Sequence, residues 1–84
     1  MNGPYNSERE ARRDADHAGL TGTVMTRNRD MLARACWGAH VELGAFDAQI
    51  IDWLAGYEPA TCAVIAGLVR RAYAAGQERG GGTR

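Results

Sequence analysis

A chain of 84 residues has room for one small domain. Such a domain buries a smaller share of its surface than a large one, so it has little stability to spare. Ten Lys+Arg balance ten Asp+Glu, for a formal net charge of +0, which removes the usual electrostatic argument for nucleic acid or an anionic membrane as a required partner and leaves only a local basic patch. All the basic residues are arginine, and alanine and glycine are abundant. That bias points to a high-GC bacterial genome and lowers the information carried by any single surface Ala or Arg.

The N-terminus, Met-Asn-Gly-Pro-Tyr, has no basic region followed by an apolar stretch, so no secretory signal is expected. The longest apolar run, Cys62 to Val69, falls far short of the roughly 20 residues that span a bilayer. The sequence therefore predicts a cytoplasmic protein, in which Cys36 and Cys62 are reduced thiols packed as small hydrophobes.

Residues 1–25 offer little core. Ser7-Glu-Arg-Glu10 matches a capping box, but the helix it would start has only Ala11, Ala15 and Ala18 on its apolar side, so a flexible N-terminal arm is expected. Residues 26–76 form the expected helical domain, an all-α fold of three helices. The first runs from Arg27 to Leu43, with Leu32, Cys36, Ala39 and Leu43 at helical spacing, Trp37 and Val41 widening the stripe and Gly44 ending it. The second begins at Asp47 as N-cap, with Phe46 and Ile51 as a hydrophobic staple, turns Ile50, Ile51 and Leu54 inward and stops at Gly56. The third starts with Pro59 in its first turn and runs to Ala75 before Gly76. Residues 77–84, "QERGGGTR", are expected to be a disordered tail.

On the third helix, at about 100° per residue, Val64, Leu68, Ala72, Ile65, Val69, Cys62 and Tyr73 occupy one half of the wheel and predict the core face. The other half carries Ala63, Ala66, Gly67, Arg70 and Ala74, with Arg71 at its border. Small side chains there would let a second backbone approach closely. Ala63, Gly67, Arg70, Arg71 and Ala74 are therefore the predicted partner-binding residues, for a homodimer or a partner protein.

The second and third helices, joined by Gly-Tyr-Glu-Pro, also have the outline of a helix-turn-helix. In a DNA reader, side chains near the start of the second helix of the pair reach base edges. Here those positions are Glu58, Pro59, Ala60, Ala63 and Gly67, none able to give the bidentate hydrogen bonds that Arg, Asn or Gln give to guanine or adenine. Arg70 and Arg71 could touch phosphates, although both also complement the dipole at the helix C-terminus.

The stretch Trp53-Leu-Ala-Gly-Tyr-Glu-Pro-Ala-Thr61, followed by Val64-Ile65 and Arg70-Arg71-Ala72, resembles a group of small streptomycete and related actinobacterial proteins with no attached activity. The resemblance covers about residues 48–75. It implies a high-GC bacterial, cytoplasmic setting, with a mobile element or phage as context, and supplies no site.

Metal and catalytic chemistry find weak footing. Cys36 and His40 lie four apart on one helix face, and Cys62 could approach them, but His17 would have to come from the arm and there is no CxxC pair. A Cys36–His40 nucleophile on a packed face lacks room for substrate or an oxyanion hole. The "GGG" at residues 80–82 precedes no helix, so it is no phosphate loop. Trp37 and Trp53 read as core. The expectation is a non-enzymatic interaction or regulatory module with no cofactor, no metal and no catalytic residue. Its alternative is a helix-turn-helix-like DNA-binding accessory protein.

Overall fold

The computed structural model describes the backbone of residues 2–83 and the side chains of residues 2–78. The described chain is all-helical, with four helices rather than three: α1 Glu8–Asp16, α2 Val24–Gly38, α3 Ala45–Leu54 and α4 Pro59–Thr83. α4 is the central element. α1 and α2 both pack along it, and α3 leans on α2. The expected pairing of the last two helices as a hairpin is therefore slight, confined to their junction, where the Cys62 thiol donates to the Leu54 carbonyl at 3.4 Å.

The segment expected to be a flexible arm contributes α1. Ser7 caps it by accepting from the Glu10 N–H at 3.3 Å, while the Glu10 carboxylate accepts from the Asn6 N–H at 3.1 Å. The arm was expected because α1 has no large apolar side chains. The structure holds it by the opposite means, small against small: Ala11 is buried in one cluster with Ala60, Ala63 and Ala66 of α4, and Tyr5 and Leu20 pack on the edges. An exposed Arg12–Glu58 ion pair at 3.3 Å adds a tie between α1 and the turn before α4.

α2 begins earlier than expected because Thr23 is its N-cap, accepting from the Thr26 N–H at 3.1 Å. It also ends earlier, at Gly38. His40 takes a left-handed conformation (φ 59°), and the N–H groups of His40 and Val41 reach back to the carbonyls of Trp37 (3.0 Å) and Cys36 (2.9 Å), which closes the helix in a Schellman arrangement. Trp37 consequently lies outside the core, 81% exposed.

α3 starts after Gly44, not at Asp47. Asp47 sits in the first turn and its carboxylate accepts from the Gly44 N–H at 2.9 Å, which is half of a capping box. Phe46 is exposed rather than stapled. Pro59 does open α4 and Gly56 does follow the end of α3. α4 continues past Ala75 to Thr83, so within the expected tail 77–84 the described backbone is helical and Arg84 lies outside the described residues.

The buried surface of α4 is wider than the sequence expectation: Cys62 is buried and Val64, Ile65 and Val69 pack against the core as expected, but part of the half expected to face outward is buried as well. Ala60, Cys62, Ala63, Ala66 and Gly67 are buried, whereas Leu68 is 54% exposed and Ala72 is exposed. Large apolar side chains define a core face when one neighbour must be met. α4 meets two, and close helix–helix approach buries small residues in addition to the large ones.

Candidate functional site

α3 carries more apolar surface than α2, the helix it mainly packs along, can cover. Ile51 and Leu54 pack against the core cluster. Phe46, Ile50 and Trp53, at i, i+4 and i+7, form a second stripe that points away from it. They are 70%, 40% and 60% exposed, and Tyr57, just beyond the helix, extends the stripe at 46%. Tyr57 meets Trp53 edge-on, with ring centroids 5.0 Å apart and planes at 69°, a geometry that aromatic quadrupoles favour.

Tyr57 is held by a buried polar contact. Asn28 of α2 is 1% exposed, and its Nδ2 donates to the carbonyls of Ala55 at 3.1 Å and Tyr57 at 2.8 Å. Those carbonyls at the end of α3 would otherwise be orphans inside the fold. One side chain of α2 thereby fixes both the C-terminus of α3 and the start of the turn that presents Tyr57. The Tyr57 N–H bonds the Leu54 carbonyl at 2.9 Å, which tightens the same turn.

The surroundings of the stripe carry one sign of charge. Residues 35–69 contain no Lys or Arg, but they hold Glu42, Asp47, Asp52 and Glu58, all of them exposed. Basic groups reach this region only from elsewhere in the fold. Arg29 of α2 lies 3.9 Å from Asp52 and Arg12 of α1 lies 3.3 Å from Glu58, all four side chains being largely exposed. Such pairs contribute about 0–1 kcal/mol and exchange readily with a competing cation.

The five residues expected to bind a partner are placed differently. Ala63 and Gly67 are buried, Arg70 and Arg71 half-buried and Ala74 exposed. Ala63, Gly67 and Arg70 come together at a cleft against α2 and the N-terminal segment; Arg71 and Ala74 do not join them there. The small-residue face does receive a second backbone at close range, and that backbone is the chain's own: a Cβ built on Gly67 would stand 2.6 Å from the Asn2 carbonyl oxygen. The Arg70 guanidinium donates to Asn2 Oδ1 at 3.4 Å, and Arg71 Nε donates to the Gly67 carbonyl at 3.3 Å. The same burial covers Ala60, Ala63 and Gly67, the positions that a DNA-reading helix would turn towards bases.

The stripe residues were missed because Phe46, Ile50 and Trp53 were assigned to the interior. A usable signal existed. On a ten-residue helix, five large apolar side chains spread over two arcs, which is more than one flanking helix can bury. Cys36 and Cys62 are free thiols, and among the described residues no group of three or more His, Cys, Asp or Glu side chains is arranged to hold a metal ion. No helix among the described residues is long and apolar enough to cross a membrane. Comparison with known protein families, curated proteins and solved structures gives no match.

Proposed function

We propose that this protein is a non-enzymatic interaction module whose α3 face receives a basic amphipathic helix of a partner protein. The observation that carries the reading is the exposed Phe46–Ile50–Trp53–Tyr57 stripe in a region whose own charges are all acidic. Apolar side chains at i, i+4 and i+7 mesh with a facing helix of the same periodicity, and Tyr57 in the following turn lengthens the contact. Trp and Tyr at the centre of such a contact are the residue types that most often dominate binding energy.

The charges choose among occupants. A second copy of the chain would bring Asp47, Asp52 and Glu58 against their own kind, and like charges across an interface oppose association. A nucleic acid backbone is repelled for the same reason. A helix with Lys or Arg beside its apolar stripe is attracted, and it can take over Asp52 and Glu58 from their long, exposed intramolecular pairs.

The test uses a synthetic amphipathic peptide with Leu at i, i+4, i+7 and i+11 and Lys or Arg flanks, beside an analogue with Glu flanks. The chain has two tryptophans, so Trp37→Phe leaves Trp53 as the sole indole reporter. The expected result is a blue shift of Trp53 emission with a Kd of about 1–10 μM for the basic peptide. Binding should weaken in high salt, and the acidic analogue should bind at least tenfold more weakly. Equal binding of both peptides, or none at 100 μM, refutes the reading. Self-association of the free protein by light scattering would assign the face to a second copy, and duplex DNA that displaces the peptide would assign it to nucleic acid.

A further inference from the structure

A second site uses none of the residues of the α3 stripe. The N-terminal segment, the α1–α2 connection, α2 and α4 enclose a cleft of about 250 Å³. Its floor is apolar and buried, made by Met31 of α2 with Ala63 and Ala66 of α4. Small residues on α4 create the space, since larger ones at 63 and 66 would fill it.

The walls include two arginines. Arg34 of α2 and Arg70 of α4 both line the cleft. Arg12 and Arg29 have carboxylates at 3.3–3.9 Å, whereas Arg34 and Arg70 have none within ion-pair distance among the described residues. Arg70 instead meets a neutral amide oxygen, Asn2 Oδ1, at 3.4 Å. The one carboxylate in the lining, Asp14, is engaged by the Tyr5 hydroxyl; burial first, and then that contact, push the Tyr5 phenol up to about 12. His17 also lines the cleft, with its Nδ1 2.7 Å from the Arg13 carbonyl. That contact makes Nδ1 the donor and turns Nε2 to other partners. Among the lining residues, two arginines stand against one aspartate, an excess of one positive charge.

From this lining we infer that the cleft binds a small organic monocarboxylate, its apolar body on Met31, Ala63 and Ala66 and its carboxylate between Arg34 and Arg70. Guanidinium groups take carboxylates through paired, charge-assisted hydrogen bonds, and these strengthen where water is partly excluded. The single excess charge favours a monoanion over a dianion. The space suits a ligand of about ten heavy atoms, small beside the usual range of ligand pockets.

The probe is phenylacetate, with phenylacetamide as its neutral counterpart of equal shape, titrated into the full chain and followed by methyl chemical shifts of Leu20 and Met31. Phenylacetate is expected to bind with a Kd of about 1 mM and to shift those methyls, the amide at least tenfold more weakly. Arg34→Met keeps the aliphatic stem of an exposed side chain, so it should preserve the fold and weaken phenylacetate at least tenfold while leaving the amide unchanged. Arg34→Lys should retain part of the affinity. Equal binding of acid and amide, undiminished binding in Arg34→Met, or no shift at 20 mM phenylacetate overturns the inference. A shift confined to Trp53 and its neighbours does so too, since the anion would then be on the α3 face.

Discussion

Substituting Gly67 by alanine sets two effects of opposite sign against each other. Inside a helix, alanine is favoured over glycine by about 1 kcal/mol, so on a free helix surface Gly67→Ala would stabilise the chain. In this fold the new Cβ would lie 2.6 Å from the Asn2 carbonyl oxygen and 3.0 Å from Tyr5 Cε2. The first of these is a backbone atom and cannot rotate away. Overpacking of this kind costs about 1–3 kcal/mol, which cancels or exceeds the helix gain. The net effect on the full chain is a loss of up to about 2 kcal/mol, or about 8–16 °C in Tm for a domain of this size. Deleting residues 1–6 removes both obstacles. On that background Gly67→Ala should stabilise by about 1 kcal/mol. Thermal unfolding of the four chains, followed by circular dichroism at 222 nm, completes the cycle. If Gly67→Ala raised Tm equally with and without residues 1–6, the N-terminal segment would not be seated on α4 and the reasoning would fail.

Other perturbations probe the remaining contacts. Asn28→Ala leaves the buried carbonyl of Ala55 and that of Tyr57 without their donor, for a loss of about 1–3 kcal/mol in urea unfolding. Asn28→Asp should cost more, because an acceptor then faces two acceptors; a variant as stable as wild type would contradict the assigned hydrogen bonds. Burial first, and then the hydrogen bond to Asp14, raise the Tyr5 phenol from 10.0 to about 12. The folded chain thus keeps a proton that the unfolded chain releases at lower pH, so this stabilisation is complete below pH 10 and fades as pH rises from about 10 to 12. Tyrosinate absorbance should show one of the three tyrosines ionising last, and Tyr5→Phe should abolish that late step; a single transition near 10 would refute it. Burial also pushes the Cys62 thiol up, while Cys36 is only partly buried. A thiol reagent should therefore label Cys36 first and reach Cys62 only in denaturant, and equal rates for both would contradict the packing of Cys62.

Local signals carried the parts of the fold that were legible in the sequence. Pro59 opens α4 because a missing N–H acts within one turn of where it stands, and Gly56 marks the end of α3 without taking up a left-handed conformation. The end of α2 was hidden because its left-handed residue is His40 rather than a glycine, and Gly38 gave no stop of its own. α1 was hidden because alanines bury little area each, and their value appears only when Ala60, Ala63 and Ala66 are known to face Ala11. Periodicity placed Cys62, Val64, Ile65 and Val69 of α4 on the core side, but it could not show that Ala63, Ala66 and Gly67 on the other half are covered too, since that depends on how many helices surround α4. The candidate interaction face followed the same logic. Phe46, Ile50 and Trp53 look like core in a linear chain, and only the arrangement of α3 mainly on α2 leaves them outside.

Amide hydrogen exchange with and without the basic amphipathic peptide tests the central claim most directly, because it locates the contact without any substitution. Docking on α3 should slow exchange across residues 45–57, where local opening would first require the peptide to leave, and should leave residues 63–74 of α4 unchanged. Protection centred on the exposed strip of α4 around Leu68, or no protection at saturating peptide, would contradict the assignment of α3 as the interaction face.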